Sequence, residues 1–242
     1  EYLVARMVPV FFYALWVASP NYPEAPVFFV AVAVLGVFTA FMTGTQAMVA
    51  KELKKALAYS TMSGIGFMML ALGVSGLSPN TIVEGVSAGI FYLISHGIFK
   101  AALFLGAGVV IHLSGSIYLS DMHLSRKKTW FTWLFMWIAA LSLIGVPPFA
   151  GFWSKDDILT VSLQSGQYVL FALALATVAV SCFYTVRFMG LIFHEEKKEE
   201  TTETPHEASK LELAPYGILA ALTVALGLIG PLITDFLQET FR

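Results

Sequence analysis

Tyr92, His96 and Lys100 recur at a spacing of i, i+4 and i+8 inside an apolar run, so on a helix they form one stripe. A stripe of this kind can pass a proton along hydrogen bonds. Histidine suits the task because its unperturbed pKa, near about 6.5, lets it both take and release a proton. Lys100 lies well over ten residues from either end of its run, too deep to reach water by snorkelling. A second lysine, Lys155, follows Gly145-Val146-Pro147-Pro148 and Gly151. Pro147 and Pro148 have no backbone N–H, and Gly145 and Gly151 accept unusual dihedrals, so a helix should break into two halves across 145–151. An ammonium at membrane depth costs roughly 3 kcal/mol or more unless it meets water, a counter-charge or a protein cavity. Broken backbone beside a lysine therefore points to an ion path rather than a lipid-facing surface.

The lysines suit this chemistry because desolvation disfavours the ammonium, which makes its charge state switchable by a nearby carboxylate or cation. Asp156 is a candidate counter-ion for Lys155, whereas Asp157 fits the outer interface better. Lys54 and Lys55 fit membrane-surface anchors, and one of them could instead point into the bundle at the cytoplasmic entry. Ser60, Thr61 and Ser63 then offer small polar groups that join helices. Arg6 and Arg187 lie near segment ends and read as structural.

The elements that must position these residues are membrane-spanning helices. The chain has 242 residues, 57% hydrophobic and 12% charged, with a mean hydropathy of +0.76. A soluble domain carries roughly twice that charge fraction. Seven hydrophobic segments can be drawn, at about 2–18, 26–49, 56–77, 81–113, 130–163 (broken), 167–193 and 212–234. The connections after the second, fourth and sixth segments hold Lys51, Lys54, Lys55, Arg126, Lys127, Lys128, Lys197, Lys198 and Lys210, while those after the first, third and fifth hold no Lys or Arg. By the positive-inside rule the basic side is cytoplasmic, which leaves residues 19–24 and 78–80 and the C-terminus outside. Residues 194–211 form the one strongly polar linker and read as a solvated cytoplasmic loop, in which His194 and His206 make no metal site.

A net charge of −2 gives no basic surface for nucleic acid. The single Cys182 precludes an internal disulfide and a cysteine-ligated cluster, and reads as a small buried apolar residue. No pattern for covalent catalysis, a nucleotide, a metal or another cofactor is visible. Glu1 and the helix-like residues after it mark the chain as part of something longer.

Four stretches carry a resemblance: Tyr2-Leu3-Val4-Ala5-Arg6, the run from Lys54-Lys55-Ala56-Leu57-Ala58-Tyr59 through Ser63, the run Ser95-His96-Gly97-Ile98-Phe99-Lys100, and Gly145-Val146-Pro147-Pro148 through Gly151-Phe152-Trp153-Ser154-Lys155-Asp156. In this order they resemble the antiporter-like membrane subunits shared by respiratory complex I, Mrp-type sodium/proton antiporters, membrane-bound hydrogenases and sulfur-reducing complexes. The resemblance implies an all-α polytopic bundle, the second of two inverted five-helix repeats over 26–193. Residues 1–18 would be the tail of the preceding repeat's last helix, and 212–234 an extra C-terminal transmembrane helix. It also implies that Lys155 matches the broken-helix lysine near the outward exit, that His96 and Lys100 match the central connecting residues, and that Lys54 or Lys55 matches the lysine opening the repeat's second helix. Tyr92 stands where some relatives carry a second histidine, and the first repeat with its glutamate and lysine pair is absent.

Two functions of different class follow. One is a proton or sodium/proton translocating subunit, or the C-terminal half of one, working among other membrane subunits that include a chain supplying the first repeat. The other is a structural subunit that fills space in a membrane arm and conducts nothing. A stand-alone secondary transporter is a third and weaker fit. Any enzyme activity would belong to partner subunits of an oxidoreductase complex.

Overall fold

The computed structural model describes residues 2–16, 25–78, 80–193 and 207–241. The connections at 19–24 and 194–206, with His194 and His206, lie outside them. The described chain is helical: α1 Tyr2–Trp16, α2 Ala25–Val49, α3 Leu53–Ser75, α4 Ile82–Ser114, α5 Trp130–Ile144, α6 Ala150–Gln164, α7 Tyr168–Ile192, α8 Lys210–Leu228 and α9 Gly230–Phe241, with one 3-10 turn at Leu119–Asp121. Five of these helices, α2, α3, α4, α7 and α8, are long and apolar enough to cross a membrane. α5 and α6 have 15 residues each and together make the broken crossing.

α2 and α3 form an antiparallel pair with almost nothing between their backbones. A Cβ on Gly66 would stand 2.5 Å from the Gly36 carbonyl oxygen, and one on Gly73 2.3 Å from the Ala33 nitrogen. Small residues at such a seam let helices approach until backbone meets backbone, the closest contact available in a membrane. The Ser63 hydroxyl crosses it to donate to the Ala40 carbonyl at 2.8 Å. α4 packs on α3, α5, α6 and α8 and is the central strut of the bundle.

The basic connections gather at one end. Leu53 N–H donates to Ile117 and Leu119 N–H to Lys51, which pins the α2–α3 junction to the loop before α5. The Arg187 guanidinium donates to the Ala50 carbonyl at 3.0 Å, so this arginine ties α7 to the same junction. Glu207 accepts from Phe131 N–H at 2.8 Å and from the Thr132 hydroxyl at 2.7 Å, closing the exposed start of α5. A carboxylate there meets unsatisfied N–H groups and the positive end of the helix dipole.

Two expectations change. The single segment expected over 212–234 is two helices, because α8 ends at Leu228 and α9 starts at Gly230 with Pro231 next. Cys182, expected to be buried, is exposed on the outer face of α7. Thr177, Ser181, Tyr184 and Thr185 recur at helical spacing on the buried face of α7, and Cys182 lies off that face.

Candidate functional site

The break between α5 and α6 builds the site. Gly145 takes φ +91°, a left-handed conformation that glycine adopts without strain, and its N–H closes α5 onto Leu141 and Ser142. In a continuing helix the carbonyls of Leu143 and Ile144 would accept from the N–H groups four residues on, which belong to Pro147 and Pro148. Neither proline has one. Two carbonyls are thus left free by the sequence itself, and Lys155 takes both: Nζ donates to Leu143 at 2.6 Å and to Ile144 at 3.3 Å. A third bond reaches the Ser181 hydroxyl of α7 at 3.3 Å, and the Phe67 ring of α3 lies 5.8 Å from Nζ.

The geometry leaves no slack. A Cβ on Gly145 would lie 3.3 Å from Lys155 Cδ, and one on Gly151 1.8 Å from the Ser142 carbonyl oxygen. Gly151 N–H donates to the Ser142 hydroxyl at 3.1 Å, so an unsatisfied donor at the start of α6 is held by the end of α5. The glycines and prolines of 145–151 thus do separate work: Gly145 turns the chain, Gly151 permits the close crossing, and the prolines free the acceptors.

Lys155 is 4% exposed, Lys100 5% and His96 5%. The Lys100 ammonium donates to the Ser60 hydroxyl and to the Leu57 carbonyl of α3. His96 packs between Tyr92 and Phe99, at ring-centroid distances of 5.5 and 5.3 Å, and against Gly64, where a Cβ would meet its Nε2 at 2.4 Å. Its Nε2 is buried with no hydrogen-bond partner among the described residues. Tyr92 is fully buried on the same stripe. Ser95 of α4 and Ser154 of α6 meet at 3.2 Å, and this contact joins the helix carrying His96 and Lys100 to the helix carrying Lys155.

The structure therefore brings Tyr92, His96, Lys100 and Lys155 into one interior. Lys54 and Lys55 lie outside it: both are exposed, and Lys55 pairs with Glu52 at 2.6 Å. Asp156 is exposed, and among the described residues Lys155 has carbonyl and hydroxyl partners rather than an ion pair. Asp157 is half-buried and accepts from the Thr234 hydroxyl at 2.9 Å. Sequence reasoning missed Ser142, Ser154 and Ser181. Counting four residues forward from each carbonyl to a proline finds the acceptors of Lys155, but no such count finds the serines, which come from other turns and helices. Such a site can hold an ammonium by dipoles alone and release it when a neighbouring charge changes.

Residues 2–181 match the family described as NADH:quinone oxidoreductase/Mrp antiporter, TM. Chain 5 of the NAD(P)H-quinone oxidoreductase of Picosynechococcus sp. is 35% identical over 95% of this chain and 36% of its own length. Subunit L of the NADH-quinone oxidoreductase of Campylobacter jejuni is 35% identical over 92% of this chain, again 36% of the relative. The chain thus spans about a third of the curated relatives it matches. Among solved structures, the Mrp complex from Dietzia sp. aligns with a TM-score of 0.81 at 22% identity, over 98% of this chain and 50% of that one. The membrane-bound sulfane sulfur reductase, an archaeal respiratory membrane complex, aligns with a TM-score of 0.82 at 22% identity over 98% and 46%. The fold is that of an antiporter-like multi-pass membrane subunit, and the chain belongs to the NADH:quinone oxidoreductase/Mrp antiporter transmembrane family.

Proposed function

We propose that this chain is the C-terminal part of a proton, or sodium/proton, translocating subunit in a multi-subunit membrane complex, and that Lys155 is its outward-side charge carrier. The observation that carries the reading is the capture of the Lys155 ammonium by the two carbonyls that Pro147 and Pro148 leave unbonded. A charge held by carbonyl dipoles and one serine, 4% exposed, has no carboxylate paired with it among the described residues. Its protonation then responds to charges arriving on Lys100 and His96 or in neighbouring subunits. The Ser95–Ser154 contact joins the helices that carry the two lysines, and water would complete a relay between them past Tyr92.

A chain carrying the first repeat, on this or another polypeptide, supplies the rest of the path. In this reading 26–193 is the second five-helix repeat, residues 1–18 end the first, and the basic connections and 194–211 face the cytoplasm with the C-terminus outside. Lys54 and Lys55, exposed at the basic end, collect protons there or anchor the surface. The chain's contribution to an oxidoreductase or antiporter complex is electrostatic, and redox chemistry belongs to other subunits.

The test is Lys155→Ala in the assembled complex, reconstituted into proteoliposomes with a pH-sensitive dye inside. Coupled proton movement should disappear while assembly on a native gel is retained. Normal pumping by this variant sinks the assignment. If Lys100→Ala and His96→Ala then alter only the stability of the complex and not its ion stoichiometry, the chain is a structural partner.

A further inference from the structure

Lys155 has a mechanical counterpart on the opposite face of α6. Trp153 donates its indole N–H to the Gly227 carbonyl at 2.9 Å, and Asp157 accepts from the Thr234 hydroxyl at 2.9 Å. Trp153 and Asp157 are four residues apart and share a face, and Lys155 lies about 200° round the helix from each. The Gly227 carbonyl is available for the same reason as those of Leu143 and Ile144: four residues on stands Pro231, with no N–H to give.

Packing at this elbow between α8 and α9 is backbone-close. A Cβ on Gly227 would lie 2.2 Å from the Pro148 carbonyl oxygen, and one on Gly230 2.3 Å from the Trp153 ring. The elbow therefore sits on the α5–α6 break and grips the outer face of the half-helix that carries the lysine. α6 is only 15 residues long and has no side-chain cap of its own at Phe149, so its setting is fixed by what packs on it.

We propose that the α8–α9 elbow sets the rotation of α6 about its axis, and through it the reach of Lys155 to the Leu143 and Ile144 carbonyls. Trp153, Asp157 and Thr234 are then positioning residues for the interior lysine. Nζ stands roughly 8 Å from the α6 axis, so a rotation of roughly 20° carries it about 3 Å, enough to exchange one set of acceptors for another. Its consequence for transport rests on the proposed role of Lys155, but the positioning itself can be read without any transport.

The experiment is solid-state NMR of the assembled complex labelled with 15N-lysine, with the Lys155 Nζ resonance identified by its loss in Lys155→Arg. Trp153→Phe keeps a ring and removes the donor, and Thr234→Val keeps the shape and removes the hydroxyl. Each should shift the Lys155 resonance, their combination should shift it further, and Thr234→Ser should return it to the wild-type position. Leu222→Val, on the exposed face of α8, should leave it unmoved. The pH profile of proton translocation should move with the resonance. An unshifted resonance in the assembled Trp153→Phe/Thr234→Val complex overturns the inference. A shifted resonance in these variants alongside normal pumping by Lys155→Ala upholds the positioning and refutes the transport role instead.

Discussion

Replacing Lys155 by methionine and by glutamate separates the two energies that meet at the helix break. Methionine removes the donor from the Leu143 and Ile144 carbonyls, which have no other partner available because their helical donors are prolines. Leaving a buried acceptor unsatisfied costs about 1–3 kcal/mol, so two such groups cost about 2–6. The same change relieves the membrane of a buried ammonium, worth about 2.5–3.5 kcal/mol on insertion scales. The two terms oppose each other and leave a loss of no more than about 3.5 kcal/mol. Glutamate removes the same ammonium but puts a carboxylate of similar burial cost in its place, and when ionised it cannot donate and sets negative charge against the same two carbonyl oxygens. The two burial costs roughly cancel, so the full cost of the orphaned carbonyls, about 2–6 kcal/mol, stands, and the repulsion between carboxylate and carbonyl oxygens adds to it. Complexes carrying each variant would be heated in mild detergent, and the assembled fraction scored on native gels. Lys155→Met should assemble near the wild-type level and melt a few degrees lower, whereas Lys155→Glu should fail to assemble at growth temperature. Equal loss in both variants would mean that the side chain at 155 does not face the two carbonyl oxygens and that the account of the break is wrong.

Four further outcomes follow from the same geometry. Gly151→Ala should destabilise the subunit by about 3 kcal/mol or more, because its Cβ would stand 1.8 Å from the Ser142 oxygen, whereas Gly97→Ala, with nothing within 4 Å, should stabilise α4 by up to about 1 kcal/mol; thermal melts of the two variants give the sign. Gly64→Ala should displace the His96 ring, whose Nε2 would lie 2.4 Å from the new Cβ, and lower the proton-translocation rate more than it lowers assembly. Ser60→Ala should remove one Lys100 partner and leave the Leu57 carbonyl as the ammonium's remaining acceptor, with a change in the pH dependence of translocation as the readout. Glu207→Ala should cost about 1–2 kcal/mol by uncapping α5, seen as faster hydrogen exchange at Phe131 and its neighbours.

How much of this was legible in the sequence differs from residue to residue. The spanning helices follow from hydropathy because lipid leaves a backbone no other way to satisfy its polar groups. The break at 145–151 was legible for the same reason, since glycine and proline act on the backbone locally. Which carbonyls Lys155 takes was also within reach, by counting from Pro147 and Pro148. The elbow at Gly230-Pro231 carried the same kind of signal but was hidden inside a continuous apolar run, where hydropathy outweighs punctuation. The direction of Cys182 could have been read from Thr177, Ser181, Tyr184 and Thr185 at helical spacing on the other side of α7, whereas for Lys54 and Lys55 the sequence left two placements open. A lysine at a helix end can turn either way until its neighbours are known. Ser95 and Ser154, 59 residues apart, find each other only through the packing of α4 on α6.

The glycine seam between α2 and α3 has a consequence for how the subunit can move. Interfaces filled by side chains can yield by rotamer changes, a little at a time. Where the Gly66 and Gly36 backbones touch directly there are no rotamers to change, so the pair either stays together or separates at full cost. Ser60 and Leu57, which hold Lys100, ride on this pair, while Lys155 rides on a short half-helix braced from outside. Lys100 is thereby bonded to a pair that behaves as one body, whereas Lys155 is carried by a short half-helix and bonded across to α5 and α7.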